Sequence, residues 1–384
     1  MKVNQNSYEN TIRHQEQHGS VYWSDSALND LTSLDPSETL VSQLTTSFAI
    51  PNSPTWQDSS TSVQCKNLEK LIGGPEVLAN ITGSRGFERF TGNHIAKARH
   101  TRDNPATILS FYLQPEDVVI SLGTSDTVLI YTATASPTLE SHTLCHPTDP
   151  DAFISMLCYK NGSLTREYVR NMYCPNSGGN DDGWLEFNKH LSTTLPDPAK
   201  IGFYFLHPEI IPFAKGIYRF FNKELISEFV DSPEYNIRAI IESQFMSMKL
   251  RVDQLAKGNS ESSQDNDGEK NKGHTKRIMV VGGASKNDEI LQVLADVFGV
   301  CVWRCNGGGS ASFGAAIKAR MSFLRANKSS KDIGEDRRGM SAYENGCELV
   351  AKPRRDYHAV YQNMMKDYRE LEKFIVEKQK IINE

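Results

Sequence analysis

Apolar residues follow two rhythms along the chain. In the first they form short, mostly apolar runs, at residues 118–122, 127–131, 153–159, 202–206, 278–281 and 300–303. Such runs predict strands, and the continuous run at 278–281, bounded by Gly282 and Gly283, predicts a buried strand of a covered sheet. In the second they recur at helical spacing. Ile237, Ile240, Ile241, Phe245, Met248 and Val252 predict a long amphipathic helix, capped by Ser232, from Pro233 to about Ala256. Ile290, Leu291, Leu294, Val297 and Phe298 predict another. Ser285 serves as its N-cap, Asp288 and Glu289 fall in its first turn, and Gly299 stops it. Tyr357, Tyr361, Met364, Tyr368, Leu371 and Ile375 trace one stripe, which predicts a C-terminal helix from about Asp356 packed on the body of the protein. Shorter helices are predicted after Asp35-Pro36-Ser37-Glu38, over residues 63–72 up to Gly73 and Gly74, and from Leu164.

Polar stretches divide this pattern. Residues 257–276 contain nothing that could join a core and predict a disordered surface insertion. A second polar stretch covers residues 328–338. The expected organisation is a first domain over 1–100, a second over 101–330 carrying the 257–276 insertion, and a linker with the C-terminal helix over 331–384. Strands mixed with helices make the class α/β.

Glycines sit where the strand runs end. Gly123, Thr124, Ser125 and Asp126 separate two runs, which predicts a hairpin whose tip carries N–H and hydroxyl donors. The tip reads either as an ordinary turn or as a phosphate cradle. Gly282 and Gly283 follow the 278–281 run, and Gly307, Gly308 and Gly309 follow the next one. Strand, glycine turn and helix N-terminus together gather N–H donors where a nucleotide can sit, although a glycine pair alone also fits a tight turn. Arg85 and Arg89 flank Phe87, a pattern that suits an oxygen-rich ligand or a charged face. Asp103-Asn104-Pro105 is a turn and helix-start signal. His18 beside Gly19 fits a ligand contact or a surface residue.

Composition narrows the partners. The net charge of -5 over 384 residues gives no electrostatic support for nucleic-acid or anionic-membrane binding. No apolar run approaches a membrane span, and the N-terminal residues show no signal-peptide core. The seven cysteines are irregularly spaced, so reduced thiols in a cytoplasmic protein are expected. Cys301 and Cys305 are read as structural, and no protein metal site is expected. The oligomeric state is left open.

The strings QHGSVYWSD, TWQDSSTSVQC, TGSRGFERFTGN, DNPATIL, VVISLGTSDT, GSLTREYVRN and VVGGASKNDEILQVLADVFGVCV occur in this order, followed by VYQNMMKDYRELE. Together they resemble the FGGY family of carbohydrate kinases, and within it the xylulose kinases. The resemblance implies an actin-like ATPase (RNase H-like) fold of two domains with ATP between them. It implies ATP-dependent phosphorylation of D-xylulose to D-xylulose 5-phosphate in D-xylose catabolism, with Mg2+ accompanying ATP. By position, it makes Asp103 the catalytic base and assigns His18, Arg89, Asp103 and Asn104 to the sugar. Gly123, Thr124 and Ser125 become a phosphate loop, Gly282, Gly283 and Asn287 the adenosine site, and Trp184 an aromatic at its edge.

The sequence also departs from that family. No apolar strand with an Asp-x-Gly-Thr-type loop precedes His18, and a sugar-site block is absent between Lys97 and Asp103. Arg102 stands where the family usually has Gly. An incomplete first domain and weak or absent activity are therefore expected. A non-catalytic nucleotide- or sugar-binding homologue and a kinase of another polyol are the alternative expectations.

Overall fold

The computed structural model describes residues 30–31, 33–47, 62–87, 113, 116–146, 149, 152–174, 183–260, 275–305 and 347–383. The chain divides into two compact units, one of Met1–Ile81 with Arg85–Asp103, the other of Thr82–Ser84 with Asn104–Glu384. The helical segments described near the start of the chain are α1 (Leu40–Leu44), α2 (Ser62–Ile72) and α3 (Pro75–Thr82). α1 begins later than its sequence signal. Asp35 spends its carboxylate on Ser37, accepting from the backbone N at 2.8 Å and from Oγ at 2.7 Å. Thr39 becomes the cap instead and accepts from Ser42 N at 3.2 Å.

The second unit is built on a sheet ordered β10-β9-β8-β1-β2-β4-β3. Its strands are β1 (Asp117–Leu122), β2 (Asp126–Thr132), β3 (His142–Cys145), β4 (Phe153–Tyr159), β8 (Arg277–Val281), β9 (Val302–Cys305) and β10 (Cys347–Ala351). β1, β2, β4 and β3 pair antiparallel in that order, with β4 between β2 and β3. β8 and β9 continue from β1 in parallel, which requires crossovers. A separate sheet orders β5 (Lys200–Phe205), β6 (Gly216–Phe221) and β7 (Glu224–Ile226).

The strand runs are mostly apolar because both faces are covered. Val118, Ile120 and Leu122 face the main core with Ile278 and Val280. Val119 points the other way, with Leu129, Ile154, Met156 and Met279. The helices of this unit are α4 (Ser163–Tyr173), α5 (Trp184–Thr193), α6 (Tyr235–Ser260), α7 (Asp288–Phe298) and α8 (Arg355–Asn383). The C-terminal stripe is buried in this core at Tyr361, Met364, Tyr368, Leu371 and Ile375. No helix among the described residues is long and apolar enough to cross a membrane.

Three expectations change. α6 is not half-exposed: its predicted apolar face is buried, and so are Arg238, Glu242, Ser243, Ser247 and Arg251 on its other sides. Ser232 does not cap it, since its hydroxyl is buried without a partner among the described residues. Residues 257–260 continue α6, so the expected insertion begins later, and 261–274 lie outside the described residues.

The cysteines also depart from expectation, because Cys305 and Cys347 are disulfide-bonded. They are register partners in β9 and β10, with Cα atoms 4.2 Å apart. The bond links residues 42 positions apart, so no local spacing announces it. Loop-closure entropy for such a span is worth up to about 4 kcal/mol. A Cys305→Ser/Cys347→Ser variant is therefore expected to unfold at lower urea than the wild-type chain, and reductant is expected to move only the latter. Equal midpoints for the oxidised wild type and the variant would refute a stabilising disulfide.

Candidate functional site

β1 and β8 run side by side in parallel, with Ser121 opposite Val281. Each ends in a glycine turn, so Gly123–Ser125 and Gly282–Gly283 lie next to each other at the carboxyl ends of adjacent strands. That edge is where open α/β sheets hold ligands. The approach is close: a Cβ on Gly282 would stand 2.4 Å from the Leu122 carbonyl oxygen.

The hairpin tip is held from beneath. The register of β1 and β2 closes at Leu122 opposite Asp126, leaving Gly123, Thr124 and Ser125 as the turn. Gly123 N–H donates to Asp126 Oδ1 at 3.1 Å. Gly123 O accepts from Ser163 N at 2.9 Å. Asp126 in turn takes a two-pronged bond from Arg166, with Nη1 to Oδ2 at 2.8 Å and Nη2 to Oδ1 at 3.1 Å. Gly162 passes directly under the tip, and a Cβ there would lie 2.6 Å from Thr124 O and 2.8 Å from Gly123 O. Glu209 fixes the turn beneath by accepting from Lys160 N at 2.7 Å and Asn161 N at 2.9 Å. Burial pushes the Glu209 carboxyl above the usual carboxylate range, against the pull of these donors. Thr124 and Ser125 are half-buried, and their hydroxyls make no side-chain hydrogen bond among the described residues.

The turn after β8 differs from its sequence reading. Gly283–Lys286 forms one 3₁₀ turn, and Ser285 Oγ donates back to Gly282 O at 2.7 Å. Asn287, not Ser285, caps α7 by accepting from Ile290 N at 3.2 Å. The extra 3₁₀ turn moves the helix start two residues past the predicted cap. Asn287 Nδ2 also donates to Asn188 Oδ1 at 2.7 Å, so both ends of this amide are engaged. Arg304 on β9 clamps the turn by donating from Nε to Ser285 O at 2.7 Å and pairing with Asp288. Trp184 opens α5, with Phe187 edge-on at 5.1 Å and the Arg170 guanidinium 4.7 Å above its ring.

The structure thus brings Gly123, Thr124 and Ser125 together with Gly282 and Gly283, and ties Asn287 to the helix that Trp184 opens. His18, Arg89, Asp103 and Asn104 lie outside the described residues, as do Gly307, Gly308 and Gly309. Arg85 is engaged with Glu69, Nε to Oε1 at 3.1 Å. Gly162 and Arg166 are the site residues that sequence reasoning missed, and Asp126, expected in the hairpin tip, instead opens β2 and holds the tip. Their signal was a charged pair placed after two adjoining turns, which is legible only once those turns are known to touch. Among the described residues no group of three or more His, Cys, Asp and Glu side chains could hold a metal ion.

Residues 118–323, more than half of the chain, match the C-terminal domain of the FGGY family of carbohydrate kinases. The chain belongs to this family. It is 32% identical to the xylulose kinase of Mus musculus, over 79% of this chain and 69% of that one. It is 29% identical to xylulose kinase 2 of Arabidopsis thaliana, over 94% and 82%. Among solved structures, the xylulose kinase of Rhodospirillum rubrum superimposes with a TM-score of 0.53 at 15% identity, over 71% of this chain and 50% of that one. The chain therefore spans about half the length of that solved FGGY kinase, and the shared fold is the actin-like ATPase fold expected from the sequence.

Proposed function

We propose that the chain is an ATP-dependent kinase that converts D-xylulose to D-xylulose 5-phosphate. The observation that carries this reading is the pair of glycine turns at the ends of β1 and β8, in a chain similar to proteins named xylulose kinase. A sugar hydroxyl attacks the γ-phosphorus, the new O–P bond forms, and the β,γ-bridging O–P bond breaks with its electrons leaving on ADP. The hydroxyl proton passes to the Asp103 carboxylate. His18, Arg89 and Asn104 supply fixed hydrogen-bonding groups for the polyol. Thr124 and Ser125 offer free hydroxyls to the phosphates beside the Gly123 backbone.

Gly282, Gly283, Asn287 and Trp184 hold the adenosine. The Asn287 backbone N–H and carbonyl are taken by Ala284 O and Leu291 N, so its contact is through the second Nδ2 hydrogen and the second Oδ1 lone pair that Asn188 and Ile290 leave open. Mg2+ would accompany ATP, bound chiefly through the nucleotide's phosphate oxygens, and would neutralise their charge.

An ADP-release assay coupled to a sugar panel, run beside calorimetric titration with MgATP, tests the reading. MgATP binding is expected, with turnover favouring D-xylulose and lost in Asp103→Asn. The short connection from Lys97 to Asp103 predicts that this turnover is slow. ATP binding without turnover on any sugar would favour a non-catalytic homologue. Preference for ribulose, gluconate or glycerol would overturn the choice of sugar, and absence of ATP binding would overturn the kinase reading.

A further inference from the structure

We infer that Arg166 is a positioning residue that aims the Gly123–Ser125 tip at the nucleotide phosphates by holding the Gly123 peptide through Asp126. The inference rests on the proposed ATP role of that tip. It begins with what a hairpin tip lacks. Beyond the pair of Leu122 and Asp126 the strand ladder ends, and three residues remain to be oriented. Both backbone polar atoms of Gly123 are nonetheless taken: its N–H by Asp126, and its carbonyl by Ser163 N and, more weakly, by Arg166 Nη2 at 3.4 Å.

Arg166 and Asp126 side chains are each 0% exposed. A buried ion pair is poor evidence of stabilisation, because desolvation offsets the attraction and apolar residues of like volume often serve as well. The pair's distinctive contribution is directional. Only the planar guanidinium fork reaches both Asp126 oxygens and still supplies Nη1 to Gln244 Oε1 at 2.8 Å. Gln244, on α6, then donates to Asn161 O at 2.7 Å. The Gly123 peptide is thereby referenced to the central helix and to the turn under the tip.

The charges of the pair cancel, so its effect on a phosphate is geometric and not attractive. Thr124 and Ser125 keep their hydroxyls for the ligand while the peptide before them is locked.

The test compares ATP with adenosine by calorimetry on the full chain. Arg166→Lys keeps the charge and removes the fork. Gln244→Ala removes one limb and leaves the ion pair. Arg166→Lys is expected to weaken ATP binding about tenfold or more while leaving adenosine binding unchanged, since a loosened tip misplaces only the phosphate contacts. Gln244→Ala shifts the same ratio less. If Arg166→Lys does not fold, the Gln244→Ala ratio decides. A parallel loss of ATP and adenosine binding would mean a general structural defect and overturn the inference. So would an unchanged ATP-to-adenosine ratio in folded variants of a wild type that binds ATP. Failure of the wild-type chain to bind ATP would overturn the nucleotide reading, and this inference with it.

Discussion

Gly282→Ala is expected to lose measurable ATP binding and to destabilise the second unit by several kcal/mol. Two separate causes act at this residue. Its backbone, at φ 91 and ψ 176, lies in a region essentially reserved for glycine, and holding alanine there costs of order 1–3 kcal/mol. The added Cβ would also stand 2.4 Å from Leu122 O, 2.8 Å from Leu122 C and 3.0 Å from Leu122 N. All three are backbone atoms, so no rotamer change relieves the contact. Relief requires the end of β1 to move, and Gly123 moves with it. Gly283→Ala is the control, because a Cβ there meets nothing within 4 Å. It is expected to unfold like the wild type in thermal denaturation. A Gly282→Ala protein with wild-type stability and ATP affinity would show that the two turns do not touch as described.

Glu242→Ala is expected to cost about 3–5 kcal/mol of stability, the usual range when one partner of a buried ion pair is removed. Arg238 and Glu242 side chains are each 1% exposed. Glu242 Oε1 accepts from Arg238 Nε at 2.8 Å and from Tyr361 Oη at 2.8 Å. Burial raises the Glu242 carboxyl above its ordinary range, while the Arg238 guanidinium and the neighbouring hydroxyls pull it back. Removing it strands a charge in the core between α6 and α8. Arg238 also donates to Leu191 O at 2.9 Å and Thr194 O at 2.7 Å. An Arg238→Met/Glu242→Leu pair is therefore expected to recover only part of the loss, because those carbonyls stay unpaired. Urea unfolding measures both variants. A cost below about 1 kcal/mol for Glu242→Ala would refute a structural role for the network.

Much of the second unit is legible in the sequence. The run that became β8 is apolar without interruption, those of β1, β2 and β4 are apolar but for a Ser or Thr, and α7 and α8 carry clear helical stripes. Those signals are local, and burial on one or both faces imposes them directly. The edge strands β3, β7 and β10 left no comparable signal, since a short strand beside solvent or a single neighbour needs no apolar run. Helix caps were misread for the same local reason. Ser285 and Ser232 are good caps by residue type, but the 3₁₀ turn after β8 and the turns before α6 shift where each helix begins.

By itself the sequence determined the family, the α/β class, and two glycine turns following apolar strands. Each depends on residues within a few positions of one another, or on strings shared with relatives. Tertiary structure alone decided that those turns are neighbours, that Arg166 and Asp126 meet beneath one of them, and that Cys305 pairs with Cys347. It also decided that the polar side of α6 is interior. These outcomes depend on residues far apart in the chain, and periodicity along one element carries no information about which distant charge, peptide or thiol will face it.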